Sequence, residues 1–311
     1  MTSPLRRRPS IVISVTVTAI VLAAVGVLWR GRGSDVRPAR PNQHVVALPQ
    51  GATFAANPAG FAVSPDGAEI AMTLRLADRV EVWTWRLATL EARPLAGTDG
   101  ATSLPAWSPD GKSIAFVSGA KLRRVLAAGG PAETIVDLDA DAVFDWGVDD
   151  TLLVAARGEP IRRVAAAGGA TIRQVTHPIS GDQHEAPRFV PGARLFLFFV
   201  RSDVAFRQGL WLAALDGGNA LKLVPQAGTG AVTGEFLVYS VDRSVMAQRF
   251  DTTAAALYGM PVTLADHVRL DAASHRPAYS VSVAGDVLAF QNDSDGALHV
   301  LSDWSTLVPE K

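Results

Sequence analysis

The sequence predicts an all-β fold, a six-bladed β-propeller, and three observations carry the prediction. A turn of Ser-Pro-Asp-Gly type recurs at intervals near 40 residues, a Gly-Gly hairpin recurs in phase with it, and the two ends of the repeat region each hold strands without a partner of their own. Residues 104–116, LPAWSPDGKSIAF, are the clearest copy of the first repeat, and residues 61–72, FAVSPDGAEIAM, the next. In both, an apolar strand runs into a turn where Pro presets φ, Asp can bond its own backbone two residues on, and Gly accepts positive φ. Weaker copies give turn starts at Ser64, Ser108, Gly147, Val190, Val232 and Ser282, about 44, 39, 43, 42 and 50 residues apart. That is the period of a four-stranded propeller blade.

The second repeat supplies the other half of each blade. Residues 122–136, 161–175 and 210–224 each read as two strands joined at Gly129-Gly130, Gly168-Gly169 or Gly217-Gly218, a tight-hairpin signal. Arg123, Arg124, Arg162 and Arg163 recur within these hairpins, which makes them solvated strand positions.

Composition narrows the function classes. The chain of 311 residues has no Cys, which excludes disulfides and thiolate metal sites and leaves an oxidising compartment open to it. Residues 41–311 hold 22 of the 29 basic and 29 of the 30 acidic residues, a balance of −7 that offers no broad cationic footprint for nucleic acid.

In chain order, residues 1–10 carry Arg6, Arg7 and Arg8 and read as a short cytosolic tail. Residues 11–29, from Ile11 to Trp29, are 19 residues without a charge. At about 1.5 Å per residue they reach close to the ~30 Å of a bilayer core, so they read as a single transmembrane anchor. Trp29 followed by Arg30 and Arg32 makes a poor signal-cleavage site. The three adjacent Arg favour an inside N-terminus, which puts the rest on the periplasmic side of the inner membrane. Residues 30–43 read as a Gly- and Pro-containing tether, residues 44–304 as the propeller, and residues 305–311 as a tail. The lone strand at 44–49 completes a last blade that otherwise has three strands, so the ring closes by pairing the first strand with the last.

On these residues the chain resembles TolB-type, WD40-like propeller repeats. The span 44–304 is similar to the extracytoplasmic propeller of bacterial receptor-type serine/threonine kinases. The resemblance rests on residues 61–72, 91–95 (EARPL), 104–116, the Gly-Gly hairpins, Trp211, 245–251 (VMAQRFD) and 298–304. It implies a sensor or scaffold that acts through protein or peptide contact. In that family a cytosolic kinase or DNA-binding domain precedes the span. Here ten residues do, with no His-Arg-Asp or Asp-Phe-Gly motif, so an orphaned sensor half is the alternative reading. A propeller accessory to a peptidase-type hydrolase is a third, against which stands the lack of a G-x-S-x-G elbow.

The sequence points to no enzyme, metal or cofactor. Asp137, Asp139, Asp141 and Asp145 match four positions of a calcium loop, but Ala142 stands where its Gly belongs and Val148 where its bidentate Glu belongs. The recurrent turns fall on one face of a propeller and are alike. The segments before the innermost strands fall on the other face and differ, and their inner ends converge on the central channel. Asp145, His184, Glu185, His275 and Arg276 are therefore the candidate ligand-binding residues, forming a polar rim for a protein or peptide segment.

Overall fold

In the computed structural model the described residues are 41–55, 60–138, 142–169, 172–271, 274 and 276–309. They form six sheets, each antiparallel, arranged as the blades of one ring. The expected membrane span and its flanks lie outside the described residues, as do His275, Asp139 and Asp141. Among the described residues no helix is long and apolar enough to cross a membrane.

The first strand, β1 (Asn42–Val46), belongs to the last blade. Blade 1 comprises β2 (Thr53–Phe54), β3 (Phe61–Val63), β4 (Glu69–Leu76), β5 (Arg79–Arg86) and β6 (Glu91–Pro94). Both β2 and β3 pair with the same edge of β4, so the two short strands share the innermost position. Blade 2 is β7 (Ala106–Trp107), β8 (Ser113–Ser118), β9 (Lys121–Leu126) and β10 (Glu133–Asp137). Blade 3 is β11 (Val143–Trp146), β12 (Thr151–Ala155), β13 (Arg162–Ala165) and β14 (Ile172–Gln174). Blade 4 is β15 (Gln183–Phe189), β16 (Leu195–Arg201), β17 (Gly209–Ala214) and β18 (Leu221–Val224). Blade 5 is β19 (Gly230–Thr233), β20 (Phe236–Val241), β21 (Ser244–Asp251) and β22 (Ala256–Ala265). Blade 6 is β23 (Tyr279–Val281), β24 (Val287–Gln291) and β25 (Leu298–Ser302), closed by β1 in the register Asn42↔Ser302 to Val46↔Leu298.

The second strand of each blade is apolar on both faces because both faces are covered. Along β8, Ile114 and Phe116 pack toward blade 1 while Ala115 and Val117 pack toward blade 3. With a side-chain period of two, one strand serves two interfaces, which turns the expected alternation into a continuous apolar run. The core is accordingly spread over the inter-blade interfaces. The interface of blades 6 and 1, for example, joins Val287, Ala289 and Val300 to Ile70, Met72 and Trp85.

The sequence reading needs correction at the C-terminus. The propeller does not stop at Trp304. A 3-10 turn, Trp304–Leu307, buries Trp304 against the ring of Phe236, and Val308 is buried in the same cluster. These residues cover the interface of blades 5 and 6.

Polar clasps tie neighbouring blades near the channel. Trp107 Nε1 donates to the Ala62 carbonyl (3.0 Å) and Thr73 Oγ1 to that of Ser103 (2.7 Å). Tyr279 OH donates to the Thr229 carbonyl (2.9 Å), and burial pushes its phenol up to about 12.

Candidate functional site

A cavity of about 470 Å³ opens at one mouth of the central channel. Its wall includes Val143 at the start of β11, Ala155 at the end of β12, Gln183 to Ala186 at the start of β15, and Arg201 at the end of β16. These are the hairpin ends furthest from the recurrent turns, so the cavity lies on the opposite face. Blade 1 contributes Ala55, blade 2 Thr102 to Leu104, and the segment leading into blade 6 contributes Asp271, Ser274 and Arg276.

His184 and Glu185 lie on β15 rather than in a loop before it. The pairing of β15 with β16 shifts register between Glu185 and Arg188, and Ala186 adopts φ 49° there. An alanine in the left-handed region costs about 1–2 kcal/mol, and a bulge of this kind re-aims the side chains beside it. Pro187, which has no N–H to give to the ladder, fits at such a break.

Glu185 accepts a two-pronged pair from Arg201, Nε at 3.0 Å and Nη2 at 3.1 Å. That hydrogen bonding holds the Arg201 guanidinium above its ordinary range. Arg201 Nη2 also donates to the Ser274 carbonyl, which links blade 4 to the segment before blade 6. Ser274 N in turn donates to Oδ1 of the buried Asp271. Arg276 Nε donates to Ser274 Oγ (3.0 Å), and burial lowers the Arg276 pKa against the opposing pull of Glu185 and Asp271.

His184 packs its ring 4.9 Å from that of Phe198, with Nδ1 buried and without a hydrogen-bond partner. Burial lowers its pKa to about 4, outweighing the charge of Asp182, so the imidazole is neutral at pH 7. A buried N–H shut off from any acceptor is the rarer and costlier orphan, which favours the tautomer with its proton on Nε2.

The cavity thus gathers His184, Glu185 and Arg276, while His275 lies outside the described residues. Asp145 does not line it. Its carboxylate turns toward blade 4, where it accepts Phe189 N (2.8 Å) and Arg188 Nη1 (3.0 Å). Its expected place on the rim is corrected to an inter-blade clasp, because a carboxylate in the middle of an inner strand finds its nearest donors on the next blade. Sequence reasoning missed Arg157, Arg201, Asp271 and Ser274. The sole available signal was position: Arg157 and Gly158 occupy the turn from β12 to β13, on the same face as the start of β15. Among the described residues no group of three or more His, Asp or Glu is placed to hold a metal.

The fold is that of a TolB-like six-bladed propeller. Superposition on a TolB candidate from Agrobacterium tumefaciens has a TM-score of 0.53 at 15% identity, covering 78% of this chain and 88% of that one. TolB from Acinetobacter baumannii gives 0.51 at 14%, over 78% of this chain, which spans only 53% of that protein. An oligogalacturonate lyase from Vibrio parahaemolyticus gives 0.51 at 14%, over 81% of this chain and 77% of that one. At such identities the likeness establishes the fold alone. No protein-family model matches the sequence. No curated protein matches it either.

Proposed function

We propose that this protein is a binding module whose partner, a peptide or protein segment, docks over the cavity mouth without catalysis. The observation that carries the reading is the company the cavity keeps. Phe206, 77% exposed, stands in the loop from β16 to β17, and Ile179, 59% exposed, in the loop before β15. The two loops are held together by the Arg207–Asp182 pair at 3.1 Å. An exposed aromatic and an exposed aliphatic on the face where a polar cavity opens suit a macromolecular partner, which can cover the apolar groups and fill the cavity together. The propeller is held on the 11–29 anchor outside the cytoplasm, as the sensor or scaffold side of the receptor type that the sequence resembles. β1 enters the ring beside Ser302, at the end of blade 6 that carries the turn from β23 to β24, so the mouth is on the face away from the point of entry.

Two experiments test this. Full-length protein in detergent is used to capture partners from periplasmic and cell-wall extracts. Phe206→Ala with Ile179→Ala is expected to lower capture at least tenfold, about 1.4 kcal/mol, with thermal stability kept. Equal loss from substitutions in the turns at 64–67 and 108–111 would put the site on the wrong face. For the anchor, the full-length chain is expected to stay with membranes through alkaline carbonate extraction. Release into the supernatant would exclude a spanning segment.

A further inference from the structure

The charged side chains of the cavity are unequally engaged. Its two acids are already engaged: Glu185 by both prongs of Arg201, and Asp271, 4% exposed, by the Ser274 N–H. Its donors are not. Arg157 is exposed on the rim, and among the described residues its guanidinium meets no partner. Arg276 is half-buried, and among the described residues its guanidinium uses Nε alone, on Ser274 Oγ. His184 lines the cavity, and of its two ring nitrogens only Nδ1 is shut off. Counting Arg157, Arg201 and Arg276 against Glu185 and Asp271, with His184 neutral, the described lining carries one net positive charge. This stands out in a region, 41–311, whose balance is −7. A cationic cleft in an acidic protein focuses field on a small area, and a part-enclosed wall strengthens it. A planar guanidinium matches the two oxygens of a carboxylate, and a surplus of one charge suits a monoanion better than a phosphate dianion.

We propose that the channel mouth takes a carboxylate carried on an acidic peptide segment, received by Arg276 and the Nε2–H of His184 and drawn in by Arg157. This rests on the docking reading above and adds the chemistry of what docks. The cavity, at about 470 Å³, holds one or two acidic side chains but not a folded domain, so the rest of the segment lies across Phe206 and Ile179.

The test is a binding titration of the full-length protein in neutral detergent with three probes: acetylated tetraglutamate amide, its tetraglutamine counterpart, and tetragalacturonate. The tetraglutamate is expected to bind at least tenfold more tightly than the tetraglutamine and to weaken as salt rises. Arg157→Gln and Arg276→Gln together are expected to remove at least tenfold of that affinity. Arg157→Gln alone, which breaks no hydrogen bond or ion pair among the described residues, is expected to lower it at least threefold with the melting temperature unchanged, so the test survives any misfolding of the Arg276 variant. Equal binding of tetraglutamine, affinity indifferent to both Arg substitutions, or no binding of either acidic probe overturns the carboxylate assignment and leaves docking at Phe206 and Ile179 standing. Preference for tetragalacturonate over tetraglutamate does the reverse: it keeps the carboxylate and overturns the peptide.

Discussion

The two faces of the ring spend their polar groups differently. On the turn face, Ser64 Oγ donates to Asp66 Oδ1 (2.6 Å), the same oxygen accepts Ala68 N (3.0 Å), and Glu69 N donates to Ser64 Oγ (2.9 Å). The turn at Ser108 repeats this at 2.7, 3.1 and 2.8 Å through Asp110, Lys112 and Ser113. Every short-range demand is met within six residues. On the mouth face, the bonds of Glu185, Arg201 and Ser274 join residues up to 73 apart in sequence, and Arg157 and His184 Nδ1 bond to nothing in the described protein. A self-satisfied surface has little left for a ligand, whereas a surface with spare donors is held ready for one.

The contrast breaks most sharply where the turns touch one another. At Gly285, in the turn of blade 6, an added Cβ would meet the Asp66 carbonyl oxygen of blade 1 at 2.2 Å, and Ala284 N donates to the Pro65 carbonyl beside it (2.9 Å). Backbone cannot yield there as a side-chain tip could. Gly285→Val is expected to cost about 3 kcal/mol, which lowers the melting temperature by roughly 6–12 °C in a domain of this size. Gly158, on the mouth face, has φ +76° with open space around it. Gly158→Ala is expected to lose only the left-handed backbone cost of about 1–2 kcal/mol. Thermal unfolding of the two variants compares the faces directly, and equal shifts would mean the turns pack with slack.

The same difference explains what could be read from the chain. Ser64 to Gly67 and Ser108 to Gly111 were legible because their bonding partners lie within the motif, and the blade count followed from their spacing. The closing strand was legible by subtraction, since β1 had no hairpin partner of its own and the last blade was otherwise one strand short. Val308 was not, because the cluster that buries it is assembled from blades 5 and 6, and a short C-terminal stretch carries no period. In the candidate site, His184, Glu185 and Arg276 could be placed near the channel by counting from the inner strands. Their partners could not: Arg201 and Ser274 meet only when the ring closes. Asp145 misled because position along a strand says which end of the channel a residue is near, not which blade its carboxylate turns toward.

Titration separates the faces more finely than temperature does. His184 titrates near 4 in the folded protein against 6.5 for an exposed imidazole, because burial disfavours its charged form. Between those values the unfolded chain binds the proton more readily, so the stability linked to His184 is complete above about pH 6.5 and is lost as pH falls toward 4. On the turn face, Asp66 and Asp110 lie below their ordinary 3.8, held down first by the hydroxyls of Ser64 and Ser108 and then by the N–H groups of Ala68 and Lys112. Their contribution is present above that value and is lost only below it. Acid titration of the melting temperature is therefore expected to fall in two windows, the mouth first and the turns second. His184→Phe, which keeps a ring against Phe198, is expected to flatten the decline between pH 6.5 and 4 and leave the lower one intact. Asp66→Asn with Asp110→Asn is expected to do the opposite, and by less, since both carboxylates are largely solvated and screened. If the upper decline survives His184→Phe unchanged, the imidazole is not held neutral by burial, and its Nε2–H is not available as a fixed donor to the cavity.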